Sequence, residues 1–395
     1  MKKLLFVVDN MAFGGVSNAL IETLKRLDLV GTEIDLLVLH QTGEVLNKIP
    51  DKINVIFGSS LYNIIDQRLD VLLKNKDWIK LFKKVIIAFL LKSQLILPVL
   101  KYERKKLLSQ HYDVEIAYKD GFCTIFSSIS KADKKIAWIH NDYKIFTGSN
   151  RYKTLFRKSL MAMDSIIAVS NTAGDSLQQT YQLDRRPEII SNPVDSKTIL
   201  EASNKFIPDY DRQSFNFVSV GRLTDQKGYD RLINVHKLLL RGGHFHRIYI
   251  VGAGEDEAIL KQQIKQLNVE ETFILLGYQS NPYPFIKAAD CYVMSSRHEA
   301  SPLVIIESLI LHVPVISTEV ADIRERLGND FGLVVENSEV ALYKGMKYIL
   351  CNDSQLKRFE NYLTDYVYDN GVIISKIAAV VGGDLRNDES STVQE

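Results

Sequence analysis

Four charged side chains in the second half of the chain have the chemistry to handle a phosphorylated sugar. Glu299 and Glu307 stand eight positions apart in "RHEASPLVIIESLILHVPVIST" (297–318), on either side of an almost wholly apolar run, and Arg222 and Lys227 stand five apart in "GRLTDQKG" (221–228). A guanidinium and an ammonium on one loop can clamp a diphosphate, the first as a fork and the second as a point charge. The same cations would stabilise a departing nucleoside diphosphate. Between the two glutamates, the backbone N–H groups of Ala300, Ser301, Leu303 and Val304 can point at an anion, which a helix dipole also favours. Glu307, one turn deeper, can accept hydrogen bonds from vicinal hydroxyls such as those of ribose, and Glu299 can grip hydroxyls on the far side of the phosphates. The set suits a nucleotide sugar. By spacing alone, the pair reads equally as a solvated loop glutamate and an ordinary helical one, so the elements around it decide.

Those elements are short apolar runs alternating with helical stretches. "LLFVVD" (4–9), "IDLLVLH" (34–40), "INVIFG" (53–58), "VEIAY" (114–118), "KIAWIH" (135–140), "SIIAVS" (165–170) and "EIIS" (188–191) fill the first half. "FNFVSVG" (215–221), "RIYIVG" (247–252), "FILLG" (273–277), "CYVMSS" (291–296), "VPVIST" (313–318) and "GLVVE" (332–336) fill the second. Continuous apolar strands separated by helices belong to parallel sheets covered on both faces. Two α/β Rossmann-like, doubly wound domains facing a central cleft are therefore expected, in keeping with the length of 395 residues. The expected boundaries are 1–192 for the first domain, 193–213 for a polar, proline-marked linker and 214–360 for the second. A C-terminal helix (361–383) could return to the first domain, and residues 384–395 read as a loose tail. Parallel sheets bind ligands at the carboxyl ends of their strands. "RHEA" leaves such an end, with Ser301 expected as N-cap and Pro302 as first residue of a helix reaching His312.

Composition narrows the function classes. Lys and Arg number 49 against 48 Asp and Glu, so no overall charge draws the chain to nucleic acid. Three distant cysteines, with no CxxC, fit buried thiols in a reducing compartment, and no cysteine or histidine cluster has zinc spacing. The apolar run of "MKKLLFVVDN" ends at Asp9, short of the roughly 7–15 residues of a signal peptide, so a cytoplasmic protein is expected. "IVGAGEDEAIL" has glutamate where a dinucleotide fingerprint needs its third glycine, and "GRLTDQKG" lacks P-loop spacing. Asp209 and Asp211, the one DxD pair, read as solvated linker charge.

"GRLTDQKG", "VGAGED", "LLGY" and "EASPLVIIESLILHVPVIST", in that order, resemble the nucleotide-binding half of glycosyltransferase family 4, whose members are retaining, metal-independent enzymes with the GT-B fold. "FVVDNMAFGGVSNALIETLKRL", "WIH", "AVSN" and "ISNPVD" extend the resemblance over nearly the whole chain. The resemblance implies a transferase that moves a sugar, from a UDP-sugar by preference, to a glycan or lipid-linked acceptor in cell-surface polysaccharide biosynthesis, without cofactor or metal. It implies that Gly14 and Gly15 let the backbone approach the donor phosphates. It further implies that His140 faces the transferred sugar beside Glu299, Arg222 and Lys227 at the reacting centre. On sequence alone His140 reads more readily as a core histidine ending a strand. His312 and Ala300 depart from the family pattern, each standing where glycine is frequent. A non-hydrolysing nucleotide-sugar epimerase and a catalytically silent partner subunit are the alternatives on the same fold.

Residues 68–108 differ in texture, with 11 Lys or Arg against 3 Asp or Glu and a longest apolar run of seven, "VIIAFLL". That is far below the ~20 residues needed to span a bilayer. One reading is a pair of helices covering the first sheet with lysines facing water. The other is attachment to an anionic membrane surface, at about 1 kcal/mol per well-placed cation, which would make the protein peripheral at the inner face of the plasma membrane.

Overall fold

All thirteen apolar runs form strands: β1 Lys2–Val8, β2 Thr32–Val38, β3 Asn54–Phe57, β4 Val114–Ala117, β5 Lys134–Ile139, β6 Ser165–Ala168, β7 Glu188–Ile189, β8 Phe215–Val220, β9 His246–Val251, β10 Phe273–Gly277, β11 Cys291–Met294, β12 Val315–Thr318 and β13 Gly332–Val335. The computed structural model describes residues 1–12, 14–40, 43–66, 77–145 and 152–386. The first seven strands make one parallel sheet in the order β3-β2-β1-β4-β5-β6-β7, and the last six make another in the order β10-β9-β8-β11-β12-β13. Burial on both faces explains the unbroken apolar sequences: Leu4, Leu5, Phe6 and Val7 of β1 are all fully buried although they point alternately to opposite sides.

The chain divides into two compact units, Met1–Pro193 with Asn370–Glu395, and Val194–Asp369. The return of the C-terminal segment to the first unit begins at the helix Asn370–Val381, where the Lys2 and Lys134 ammoniums donate to the carbonyls of Val381 and Val380 at 2.8 and 2.6 Å. Of the segment 384–395 expected to be loose, Asp384 and Arg386 hydrogen-bond to Val30 and Asp28, and 387–395 lie outside the described residues. The stretch 193–213, expected as a linker, carries the helix Ser196–Ser203, and its Val194, Ile199 and Tyr210 join the core of the second unit. Tyr210 stacks on Tyr249 at 3.9 Å and donates to the carbonyl of Phe285. Asp211 of the DxD pair bonds to Arg247 at 3.0 Å, so it serves the packing of this segment.

His312 ends the helix Leu303–Ile310 in the left-handed region, at φ 58°. The Val313 and His312 N–H groups bond back to the carbonyls of Ser308 and Leu309, the two closures of a Schellman turn, in which the left-handed position normally falls to glycine. The imidazole is exposed and the backbone strain is uncompensated. His312→Gly is therefore expected to stabilise the second unit by about 0.5–1 kcal/mol, read as a raised denaturant midpoint at unchanged slope.

Candidate functional site

The order of the second sheet reverses between β8 and β11, and an open α/β sheet binds ligands outside the carboxyl ends of its strands at such a point. The loop after β8 carries Arg222 and Lys227, and the loop after β11 carries Glu299. Strand adjacency brings the two loops together across 72 positions of sequence, and the Lys227 Nζ lies 2.7 Å from Glu299 Oε1. Ser296 Oγ donates to the same oxygen at 2.8 Å, and Gln226 Nε2 reaches Oε2 at 3.4 Å. The side chains of Glu299 and Lys227 are only 9% and 17% exposed, so this pair is far less screened than a surface ion pair. Arg222 stands exposed on the same loop.

The loops are stitched by groups with no obvious signature. Arg231 donates to the carbonyls of Ser295 and Ser296 at 2.8 and 2.7 Å, and Ser295 Oγ donates to the Lys227 carbonyl. Arg297 forms a fork on Asp230, at 2.8 and 2.6 Å. Gly228 has φ 63°, and a Cβ there would stand 2.3 Å from the Ser295 carbonyl oxygen. The glycines of "VGAG" also let backbone approach backbone. A Cβ on Gly254 would meet the Leu223 carbonyl oxygen at 2.2 Å, so its absence permits close packing against the cation-bearing loop.

Ser301 departs from its expected role. The helix starts at Leu303 with Pro302 in the capping position, and the Ser301 hydroxyl accepts from Arg326 at 2.9 Å and caps nothing. A helix leaves its first N–H groups, here those of Leu303 and Val304, without acceptors inside the helix. Ala300 and Ser301 lead into that turn, half-buried. Glu307 sits in the second turn. Burial pushes its carboxyl up to about 7, against a hydrogen bond from Tyr283 that favours the ionised form.

In the first unit the order reverses between β1 and β4, and the charged groups gather at the corresponding carboxyl ends. Asp9 follows β1 and lies 2.7 Å from the Lys119 ammonium, which follows β4. Burial alone would pull the lysine down; Asp9 outweighs it and holds the ammonium above its ordinary range. Neighbouring Asp120 is raised by burial while accepting from Asn141 at 2.8 Å and from the Tyr143 hydroxyl at 2.9 Å. His140, just past β5, is 8% exposed and leans on Tyr118 at 5.2 Å between ring centroids. Burial, helped by the Lys119 charge, lowers its pKa to about 3, so the imidazole is neutral, and its Nε2 has no hydrogen-bond partner among the described residues. Gly14 caps the helix Gly15–Arg26, and a Cβ there would meet nothing within 4 Å. No protein neighbour demands glycine at that position.

Sequence reasoning missed Ser296, Gln226, Asp9, Lys119 and Asp120. The last two were within reach, since "VEIAYKD" puts an ion-pairing lysine and a carboxylate just past a strand end. Two cavities, one of 560 Å³ lined in part by Asp35, Asn54 and Gln110 and one of 490 Å³ lined in part by Phe206, Asn216 and Asp290, open near the amino ends of the strands, away from these loops. Among the described residues no group of three or more His, Cys, Asp or Glu is placed to hold a metal ion.

Comparison with known proteins bears on the same loops. Residues 202–365 match the family model described as glycosyl transferases group 1. An uncharacterized glycosyltransferase of Methanocaldococcus jannaschii is 30% identical over 236 residues, which cover 57% of this chain and 58% of that protein. The N-acetylgalactosamine-N,N'-diacetylbacillosaminyl-diphospho-undecaprenol 4-alpha-N-acetylgalactosaminyltransferase of Campylobacter jejuni is 30% identical over 221 residues, 54% of this chain and 59% of that one. The chain thus matches somewhat over half the length of these curated relatives. Among solved structures, Anabaena HepE in complex with UDP superposes with a TM-score of 0.69 at 16% identity, covering 97% of this chain and 100% of that one. A mutant of S. aureus TarM in complex with Fondaparinux, alpha-GlcNAc-glycerol and UDP gives 0.69 at 15% identity, with 97% and 100% covered. The fold is GT-B.

Proposed function

We propose that the chain is a retaining, metal-independent glycosyltransferase that moves a sugar from a nucleoside diphosphate sugar to a glycan or lipid-linked acceptor in cell-surface polysaccharide biosynthesis. The observation that carries this reading is the Lys227–Glu299 pair, seated with Arg222 where the second sheet reverses its strand order. Arg222 and Lys227 neutralise the leaving diphosphate, whose oxygens rest on the turn Ala300–Val304. Glu299 positions the sugar and Glu307 holds the ribose. In the first unit, His140 presents a free Nε2 to a sugar, and the acceptor binds on that unit. Two cations and a helix end supply the charge that a divalent metal would otherwise bring. The UDP complexes of HepE and TarM favour uracil as the base.

A melting-temperature screen tests the donor: UDP and UDP-sugars should raise the midpoint with concentration, as ligands of the native state do, and GDP should not. No response to any nucleotide would contradict the reading.

Glu307 gives a second expectation. Its carboxyl, at about 7 in the free protein, must be ionised to accept two hydroxyl hydrogen bonds, so donor binding lowers its pKa and releases a proton. Affinity should therefore weaken as pH falls through 7, by roughly tenfold at one unit below it, and level off above. Titration calorimetry in buffers of different ionisation enthalpy reads the proton directly, and Glu307→Gln should abolish the dependence.

A further inference from the structure

The helix Trp78–Lys92 exposes more apolar surface than contact with water alone favours. Towards the protein it buries Lys84, whose ammonium reaches the Ile64 carbonyl at 3.4 Å, with Ile87 and Leu91. Away from it the helix exposes Trp78 (66%), Ile79 (72%), Phe82 (68%), Val85 (56%), Ile86 (42%) and Phe89 (63%). At 100° per residue these six fall within an arc of about 120° and a length of about 17 Å. Lys83 borders the arc on one side and Lys92 on the other, both exposed. Packing against the next helix, Ile96–Leu107, leaves the stripe open, because the two axes are bent by 110°. That second helix is fastened to the sheet through Arg104, which pairs with the fully buried Glu115 and donates to Ser130 at 2.8 Å, and it adds exposed Tyr102, Lys101, Lys105 and Lys106.

We propose that the helix Trp78–Lys92 is an in-plane anchor that lays its six-residue apolar stripe into the headgroup boundary of an anionic lipid bilayer. Charge selects this occupant. From Trp78 to Tyr102 the chain has several lysines and no carboxylate, so the apolar stripe is bordered by one sign of charge, as at a basic interfacial helix. A second copy docking face to face through a two-fold axis would set the same lysines against each other, which disfavours self-association. Neither helix is long enough to cross a bilayer alone. The proposal is independent of transfer activity, since it concerns a surface that needs no nucleotide.

The experiment is flotation of the full chain with vesicles of phosphatidylcholine alone or mixed with phosphatidylglycerol, comparing the wild type with Phe82→Ser/Phe89→Ser and with Lys83→Gln/Lys92→Gln. All four positions are exposed, so the folds should match by circular dichroism and melting. The wild type should partition at least tenfold better onto the anionic vesicles, less so at high salt, and both variants should lose most of that gain. Trp78 should shift its emission to the blue on binding, which is readable because the other tryptophan, Trp138, is 1% exposed. Vesicle binding unchanged in the Phe variant, or no binding by the wild type, would overturn the proposal. So would a concentration-dependent dimer that the Phe variant abolishes, which would assign the stripe to a second copy.

Discussion

On the proposed function, Lys227→Ala should lower the turnover of sugar transfer by about 10²–10³-fold, the loss that follows removal of one preorganised group from a site of developing charge. In the proposed reaction the leaving diphosphate would gain its negative charge as the glycosidic bond breaks, and the Lys227 ammonium, on a side chain only 17% exposed, would meet that charge without reorganisation. The fold should persist, because Glu299 keeps Ser296 and Gln226 as donors and the loop is held independently by Arg231, Ser295 and the Arg297–Asp230 fork. Single-turnover measurements with saturating donor, alongside a circular dichroism spectrum, separate the two effects. Near-normal turnover in a folded variant would remove Lys227 from the reaction.

Glu299→Ala should cost about as much, and the double variant little more than either single one. The 2.7 Å contact joins the two side chains: on the proposed function the lysine would fix the carboxylate that grips the sugar, and the carboxylate would hold the lysine where the phosphate arrives. Residues in direct contact show interaction energies of about 0.5–3 kcal/mol in a double-mutant cycle. If instead the double variant lost the product of the two single factors, the residues would act separately and the coupling would be refuted.

This coupling was the part of the site that the sequence concealed. Each strand was legible because burial on both faces demands an unbroken apolar run, and each cation and carboxylate was legible as a group at a strand end. That β8 and β11 are neighbours follows only from the strand order of the sheet, so a pair 72 positions apart looked like two separate contacts, one with phosphate and one with sugar. Ser301 misled for a related reason: a serine before a proline is a good local cap, but Arg326, 25 positions on, claims its hydroxyl. The segment 193–213 looked like a linker because its three core residues, Val194, Ile199 and Tyr210, are too sparse to outweigh the polar residues between them. The helix Trp78–Lys92 showed its lysines and its apolar residues in sequence, yet which of them faced the protein was a tertiary matter. Lys80, Lys83 and Lys92 face water as a covering helix would have them, but Lys84 turns inward and Phe82 outward.

A crystal structure of the chain with UDP bound tests the central claim most directly. The diphosphate should lie against the backbone of Ala300–Val304 within reach of Arg222 and Lys227, with both ribose hydroxyls on Glu307. Nucleotide density elsewhere, with that turn unvisited, would contradict the account.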